Sequence, residues 1–420
     1  MRTPASKVEH LYVHVPFCAA KCNYCAFYSE AGGAAKMGDY VEAVLKELEV
    51  VAANLIRGGI GNRESVSRLQ PSTIFFGGGT PSILPVPLMR HLLEAVGRAC
   101  SPSAPCEWTV ECNPSTVSTE KAKLFREFGV NRISMGVQAL DDDLLKTIGR
   151  VHSVKAAIAS YEKLRKAGFD NLNLDLMFGL PGQTVAHFRN TLERAIELQP
   201  EHVSIYCLIL EEDTEFWRLY SRAGVSPASD DSRTGILPVH RDGQTSADDG
   251  QARRLSYLPL PGDEQQLAMY EAAIETLAAA GYRQYEVSNF AKPGRECAHN
   301  IAYWKVEDYI GLGPSACSTV GPRRWQNVSD IDRYIAGCKS SAGVSPVVFV
   351  EHLTPELRAA ERAAFGMRMT DGVPADLVRG RWDKQIAELL SAELVQWRGG
   401  RLRPTKRGIL FADEVAAEFV

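Results

Sequence analysis

The stretch LYVHVPFCAAKCNYC, residues 11–25, decides how the rest of the chain is interpreted. It joins a short apolar run, 11–15, to three cysteines spaced four and three residues apart, Cys18, Cys22 and Cys25. The run has the length and the apolar, β-branched content of a buried strand. A loop that directly follows such a strand is where α/β proteins build their sites. The stretch therefore predicts a first strand with a cysteine site at its end.

Five further apolar runs predict strands, and helical patterns lie between them. The strands are expected at 73–77, 107–112, 132–137, 172–177 and 203–209, and the helices at 39–56, 86–99, 118–128, 141–167 with a break near Gly149, and 184–198. Six strands that alternate with helices imply an α/β fold with a parallel sheet and right-handed crossovers. Periodicity alone does not distinguish an open, doubly wound sheet from an incomplete barrel.

Changes in composition divide the chain into four expected segments: a core at 1–222, a mobile insertion at 223–262, a segment at 263–340 that packs on the core, and a C-terminal domain at 341–420. The insertion is rich in Gly, Pro, Ser, Asp and Arg and buries too little apolar surface to order itself. The third segment opens with a helical pattern, 263–281, and a strand-like run, 282–290. The last predicts helices, a turn at 398–400 and a final helix, which is typical of a winged-helix-like domain. Packing or partner contact is favoured for it over nucleic-acid binding.

Charge and hydropathy exclude several classes of protein. The 420 residues carry 47 Lys and Arg against 51 Asp and Glu, for a net charge of −4. This balance removes the electrostatic reason to expect sequence-independent binding to nucleic acid. No run approaches the ~18 apolar residues of a membrane span, and the first residues lack the apolar core of a signal peptide. We therefore expect a cytoplasmic protein, in which clustered cysteines indicate metal ligation or catalysis.

The number of clustered cysteines is informative. A closed zinc site or an ordinary ferredoxin cluster uses four protein ligands, whereas three thiolates leave one iron of a [4Fe-4S] cluster open to a substrate or cofactor. Two alternatives remain at this point. The loop could bind zinc with a distant fourth ligand such as His14, or the thiols could be unrelated to one another.

Glycine and polar residues follow the ends of several predicted strands. Gly78, Gly79 and Thr80 end the second strand, Glu111 the third and Gln138 the fourth, and Asp175 lies in the fifth. The carboxyl ends of strands are where α/β barrels build their sites. Each residue alone has a structural alternative, since a glycine triplet is commonly a tight turn and a single carboxylate a helix cap.

Together these motifs resemble the radical S-adenosylmethionine superfamily, in the branch of oxygen-independent coproporphyrinogen III dehydrogenase. The matching segments are Tyr12, His14 and Phe17 before the CxxxCxxC cysteines, GGGTP at 77–81, ECNP at 111–114, GVQ at 136–138, GRVH at 149–152, and Asp175 before GLPGQT at 179–184. The resemblance implies an incomplete (β/α)6 barrel and a [4Fe-4S] cluster on Cys18, Cys22 and Cys25. It also implies S-adenosylmethionine contacts for Tyr12, Gly78, Gly79, Thr80, Glu111, Gln138, Arg150 and Asp175. Tyr24 would pack on the adenine or serve only to pack the loop.

Two features separate the members of this branch. The dehydrogenase pattern has a fourth cysteine where this chain has Phe27, and the segment HNIAYW at 299–304 resembles the HNxxYW motif of the HemW family of heme chaperones. This second resemblance implies heme binding through His299, Asn300, Tyr303 and Trp304 and heme transfer to an acceptor protein. The structural alternative for His299 is a hydrogen-bonded core imidazole, and Cys297 is expected to be free. The alternative function is that of a true radical enzyme that decarboxylates coproporphyrinogen III.

Overall fold

The computed structural model describes residues 8–57, 69–100, 106–221, 258–340 and 347–420. Most of the expected insertion, 223–257, lies outside the described residues. No helix in the described ranges is both long enough and apolar enough to cross a membrane.

Strands and helices alternate through the first half of the chain, as the periodicity predicts. They are β1 His10–Val15, α1 Ala34–Arg57, β2 Thr73–Gly78, α2 Val86–Ala99, β3 Glu107–Cys112, α3 Thr119–Glu127, β4 Arg132–Gln138, α4 Asp142–Thr147, α5 Val154–Lys166, β5 Leu172–Phe178, α6 Val185–Glu197 and β6 His202–Cys207. All six predicted strands are confirmed to within two residues. Helix α1 begins five residues before its predicted start. The predicted break near Gly149 separates α4 from α5, and this glycine has a positive φ of 76°.

The six strands form one parallel sheet in chain order, β1-β2-β3-β4-β5-β6. Strand β1 does not pair with β6, because its other neighbour is β9, and the free side of β6 pairs with β8. The barrel is therefore incomplete, as expected. Helix α1 packs on it through Val41, Val44 and Leu48, which are fully buried and recur at helical spacing.

The segment after β6 widens this sheet on both sides. Its elements are α7 Glu215–Ser221, α8 Asp263–Ala279, β7 Arg283–Gln284, β8 Asn289–Ala291, α9 Ala298–Trp304, β9 Tyr309–Leu312, β10 Cys317–Val320, β11 Arg323–Asn327, α10 Ile331–Lys339 and β12 Val347–His352. The sheet has twelve strands in the order β12-β11-β10-β9-β1-β2-β3-β4-β5-β6-β8-β7. The composition break near residue 340 precedes β12, so the sheet extends beyond the expected boundary at 341.

The expectation of one strand over 282–290 is wrong. The run contributes only β7 and β8, because its middle residues bond to the C-terminal part of the chain instead. Val287 donates its backbone N–H to the Arg368 carbonyl at 3.1 Å, and Glu286 forms an isolated bridge with Met369. Long-range pairing of this kind has no signature in local periodicity.

The C-terminal residues form a small unit with its own apolar core and its own three-stranded sheet, β13-β15-β14. Its elements are α11 Pro355–Gly366, β13 Val373–Pro374, α12 Ala375–Val378, α13 Asp383–Ser391, β14 Val395–Arg398, β15 Arg401–Pro404, α14 Lys406–Leu410 and α15 Ala412–Ala417. The predicted turn is the hairpin between β14 and β15, where Gly399 and Gly400 both have positive φ. The order of elements through β15 is that of a winged helix.

Candidate cluster and cofactor site

The cysteine loop begins where β1 ends and is held there by the glycine-rich end of β2. Gly79 donates its backbone N–H to the Val15 carbonyl at 2.8 Å, and Thr80 donates to the Phe17 carbonyl at 2.7 Å. The Thr80 hydroxyl also lies 3.5 Å from the Cys18 sulfur. A Cβ atom on Gly79 would lie 2.7 Å from the Phe17 carbonyl oxygen. The absence of a side chain therefore allows the loop to lie directly against the strand.

Substitution Gly79→Ala is expected to destabilise the protein by about 2 kcal/mol, because a backbone atom blocks the new methyl group. It should also displace Cys18 and lower the iron content after reconstitution. Urea denaturation and iron analysis measure the two effects. Gly97→Ala is the control, since that exposed glycine lies in α2 with no neighbour within 4 Å of a new Cβ. An equally stable Gly79→Ala protein with full iron would contradict this account.

The far end of the cysteine loop rests on the end of α4. Asn23 donates through its backbone N–H to the Ile148 carbonyl at 3.3 Å and through its side chain to the Thr147 carbonyl at 3.1 Å. Gly149 lies directly against Asn23, and a Cβ atom on this glycine would be 2.9 Å from the Asn23 side-chain oxygen. Phe216, in the unpredicted helix α7, donates its backbone N–H to the Asn23 carbonyl at 2.9 Å. Three distant segments thus position one loop.

A cavity of about 450 Å³ opens beside the loop. It brings together the three cysteines and every predicted S-adenosylmethionine residue except Tyr12, namely Tyr24, Gly78, Gly79, Thr80, Glu111, Gln138, Arg150 and Asp175. The cavity continues down the inside of the barrel to Arg132, Asn173 and Asn300. Phe27, which stands where the dehydrogenases have a cysteine, lines its mouth with 68% of its surface exposed.

A zinc ion and a [4Fe-4S] cluster place different demands on the three thiols. Among the residues that the structure describes, no three His, Cys, Asp or Glu side chains converge to hold one ion. His14, the candidate fourth zinc ligand, is buried with its Nδ1 3.1 Å from the Tyr12 hydroxyl. The thiolates that hold a cubane cluster stand farther apart, because each binds a different iron. Arg150 places Nη1 3.5 Å from the Cys22 sulfur.

Two carboxyl groups line the cavity, Glu111 from β3 and Asp175 from β5, the strands on either side of β4. Asp175 accepts hydrogen bonds from Asn173 at 2.7 Å and from Ser134 at 3.2 Å. Burial, and secondarily the charge of Asp175, raises the pKa of Glu111 to about 8. Burial also raises the pKa of Asp175. Two acceptors held in a protected cavity suit the hydroxyl groups of a ribose.

The guanidinium of Arg150 is fixed beside the cysteine loop. Its Nη2 donates to the Gly136 carbonyl at 2.5 Å, while its Nε is buried without a partner. Gln138 lies nearby with a positive φ of 69°, an uncommon conformation for a residue other than glycine. Tyr24 packs between the loop and this arginine, and burial raises the pKa of its hydroxyl well above the ordinary value. Arg150 thus offers a charged donor to a carboxylate.

Tyr12 is the one predicted S-adenosylmethionine residue outside the lining of this cavity. It lines a second, smaller cavity of about 340 Å³ together with His14, Tyr303, Tyr309 and Cys317. Its ring stacks on Phe75 with centroids 6.2 Å apart, and Phe75 does line the cysteine cavity. Tyr12 thus lies behind Phe75, which lines the cysteine cavity, and its contact with the cofactor stays a prediction.

Helix α9, which carries the HNIAYW segment, closes the amino-terminal end of the barrel, opposite the cysteine loop. Glu107, the first residue of β3, accepts the backbone N–H groups of Ala298 at 3.0 Å and His299 at 3.1 Å. Thr73, the first residue of β2, lies 2.7 Å from Nδ1 of His299. Only Asn300 of the four predicted heme residues lines the cysteine cavity.

His299 is 1% exposed and stacks on Phe75 with ring centroids 5.0 Å apart. Burial lowers its pKa to about 3, so the imidazole is uncharged near neutral pH. Tyr303 meets it edge to face at 4.8 Å. Trp304 faces the C-terminal unit instead, with its ring 6.3 Å from that of Phe365 and 5.2 Å from the guanidinium of Arg368. The expected heme residues therefore do not share one open surface.

Several polar residues of the cavity escaped sequence reasoning. Arg132 is 1% exposed and lines the cavity, and Ser134, Asn173 and Ser204 lie beside it. All sit in strands at positions that face the barrel interior. The sequence signal that could have identified them is an isolated polar residue in an otherwise apolar strand. Such a residue is buried, and buried polar groups require partners or ligands.

The comparisons with known proteins agree with this geometry. Residues 12–195 match the radical SAM superfamily, and residues 353–411 match the HemN C-terminal domain. The solved structure of coproporphyrinogen III oxidase (HemN) from Escherichia coli superposes with a TM-score of 0.76 at 21% identity, covering 100% of this chain and 91% of that one. The fold is that of a radical SAM protein.

Two relatives match along nearly their whole length. The chain is 32% identical to the heme chaperone HemW of Bacillus subtilis over 98% of this chain and 99% of that protein. It is 33% identical to the heme chaperone HemW of Escherichia coli over 98% of this chain and 97% of that protein. The chain belongs to the HemW family.

Proposed function

We propose that this chain is a heme chaperone, which binds heme and transfers it to an acceptor protein. The observation that supports this most directly is the placement of α9, whose HNIAYW segment closes the same barrel that holds the cysteine cavity. Asn300 lines that cavity, and Phe75, which stacks on His299, lines it as well. Heme at the segment and a cofactor in the cavity would thus influence one another through shared contacts.

The second part of the proposal is a resident cofactor pair. Cys18, Cys22 and Cys25 would hold a [4Fe-4S] cluster, which supplies a low-potential electron and an open iron for S-adenosylmethionine. Glu111 and Asp175 would accept from ribose hydroxyls, and Arg150 would bind the carboxylate. Tyr24 would cover the adenine. The backbone of Gly78 and Gly79 leaves room for the methionyl group. In this protein the pair would act structurally or as a regulator of heme transfer.

The heme site is tested by titrating hemin into wild-type protein and a His299→Ala variant. We expect the variant to bind at least about tenfold more weakly and to lose the spectrum of histidine-ligated iron, because the imidazole is the proposed ligand. His202→Ala is the matched control, since that buried histidine is bonded to Asn173 and Tyr285 outside the segment. Unchanged stoichiometry and spectrum would remove His299 from the heme site.

The rival function is tested by incubating the reconstituted protein with S-adenosylmethionine, a strong reductant and coproporphyrinogen III. We expect no decarboxylated product, since Phe27 replaces the fourth cysteine of the dehydrogenases. Mass spectrometry detects the product. Its formation over many turnovers would make the chain an enzyme and reassign the HNIAYW segment to porphyrinogen binding.

A further inference from the structure

A continuous chain of hydrogen bonds runs from the protein surface to His299. Glu307, with 44% of its side chain exposed, lies 2.8 Å from Nε2 of His10. Nδ1 of His10 lies 2.9 Å from the Thr73 hydroxyl, and that hydroxyl lies 2.7 Å from Nδ1 of His299. Beyond Glu307 the chain is buried. The four side chains come from β1, β2, α9 and the turn between α9 and β9.

Strand register makes this chain possible. His10 and Thr73 are partners in the parallel pairing of β1 with β2, and both begin their strands. His10 is also the partner of Tyr309 in β9, which brings the preceding turn with Glu307 to its other side. The residues are separated by 63, 226 and 297 positions along the chain.

The outer carboxylate determines the direction of every bond. A carboxylate only accepts, and the hydrogen bond from His10 lowers the pKa of Glu307 and keeps it ionised. His10 must therefore carry a proton on Nε2, and in the tautomer with that proton alone its Nδ1 is an acceptor. The Thr73 hydroxyl then donates to His10 and accepts from His299. His299 must carry its proton on Nδ1, so its Nε2 bears a lone pair.

We propose that Glu307, His10 and Thr73 are positioning residues that hold His299 in the tautomer and orientation in which Nε2 can bind heme iron. The inference rests on the proposed heme function of His299. Metal-binding histidines commonly donate their other ring nitrogen to such a partner, which fixes the ring and raises its basicity. Nε2 of His299 is buried and has no hydrogen-bond partner among the described residues, as a nitrogen reserved for a ligand would be.

Access to this nitrogen requires a local movement. The rings of Phe75 and Tyr303 lie against His299 at 5.0 and 4.8 Å. A porphyrin must displace at least one of them. The hydrogen-bonded chain approaches from the opposite nitrogen, so it can remain intact while the aromatic contacts open.

The test compares Thr73→Val with Thr73→Ser in the full-length protein, using hemin as the probe. Valine keeps the shape of threonine but removes the hydroxyl. For Thr73→Val we therefore expect about tenfold weaker hemin binding and a shifted iron–histidine vibration in the ferrous protein. Serine retains the hydroxyl and should restore both. Glu307→Gln, at the surface, should shift the vibration in the same direction, because an amide can also donate and no longer fixes the direction of the chain.

The outcomes separate the two proposals. Loss of hemin binding in His299→Ala with wild-type affinity and vibration in Thr73→Val and Glu307→Gln would overturn the positioning role while keeping the heme site. Wild-type hemin binding in His299→Ala would overturn the heme site and the positioning role with it. If Thr73→Val fails to fold, the comparison of Glu307→Gln with Thr73→Ser still decides. Glu307→Gln removes the group that fixes the direction of the hydrogen bonds, whereas Thr73→Ser preserves every hydrogen bond of the chain.

Discussion

Substitution Cys22→Ser is expected to reduce cluster content to less than about a tenth of wild type, because a serine hydroxyl is a poor substitute for a thiolate on iron. Cys22 is the middle residue of the three and lies against the guanidinium of Arg150. With only three ligands, the loss of one leaves two irons without a protein ligand. Anaerobic reconstitution followed by iron and sulfide analysis, and by visible absorbance, measures the effect.

Cys106→Ser is the control for this experiment. Cys106 is half-buried at the start of β3, and its sulfur lies 3.8 Å from the Glu107 carbonyl, outside the cysteine cavity. We expect this variant to assemble a full cluster. A Cys22→Ser protein with the full absorbance of a [4Fe-4S] cluster would refute the assignment of the ligands. Zinc at one equivalent, in place of iron, would favour the mononuclear alternative.

Substitution Glu111→Gln is expected to raise the folding stability of the protein and to weaken its binding of S-adenosylmethionine. Glu111 lies buried beside Asp175, and its ionised form is disfavoured. Glutamine keeps the shape but removes the charge. We therefore expect the variant without cofactor to be more stable than wild type at pH 8.5, by about 4 kcal/mol. At pH 8.5, where Glu111 is mostly ionised, the variant should bind S-adenosylmethionine at least about tenfold more weakly, because an amide offers one acceptor where the carboxylate offers two.

The raised pKa of Glu111 makes the free energy of unfolding depend on pH. The pKa of Glu111 rises from 4.5 to about 8 on folding. Between these values the unfolded chain has released a proton that the folded protein still holds, so stability falls as the pH rises through this window. The loss is complete above about pH 8, and it should be absent in Glu111→Gln. Urea denaturation at pH 5 and pH 8.5 tests the difference.

Glu47→Gln provides the matched control for Glu111→Gln. Burial raises the pKa of Glu47 to about 7, yet this residue lies outside the cavity and accepts hydrogen bonds from Gly313, Asn327 and Tyr334. Its variant should change stability without changing the affinity for S-adenosylmethionine, measured by calorimetry. Equal affinities of wild type and Glu111→Gln would remove Glu111 from the proposed cofactor contacts.

The cysteines and the predicted cofactor residues of the cavity could be found from the sequence, because most of them lie at or just after strand ends. Glu111 and Asp175 belong to β3 and β5, and parallel strands in chain order bring their carboxyl ends together. The contact of Tyr12 with the cofactor stays a prediction. The register partner of Tyr12 in β2 is Phe75, which lines the cavity, whereas Tyr12 itself lines the smaller cavity with Tyr309 and Cys317.

Strands β9 to β12 could not be predicted. They are only four to six residues long, and β11 is polar, Arg323–Asn327. Their stability comes from pairing with β1 and with one another. Such short strands lack the long periodic pattern that identifies an element by itself.

The sequence by itself determined the alternation of six strands and helices, the three cysteines and the class of cofactor that they suit. These properties depend on local spacing, which a linear pattern carries completely. Only the tertiary structure decided that α9 closes the far end of the barrel, that Arg132 lines the cavity and that Glu307 connects to His299 through His10 and Thr73. Those contacts join residues that are distant along the chain, and strand register alone brings them within hydrogen-bonding distance.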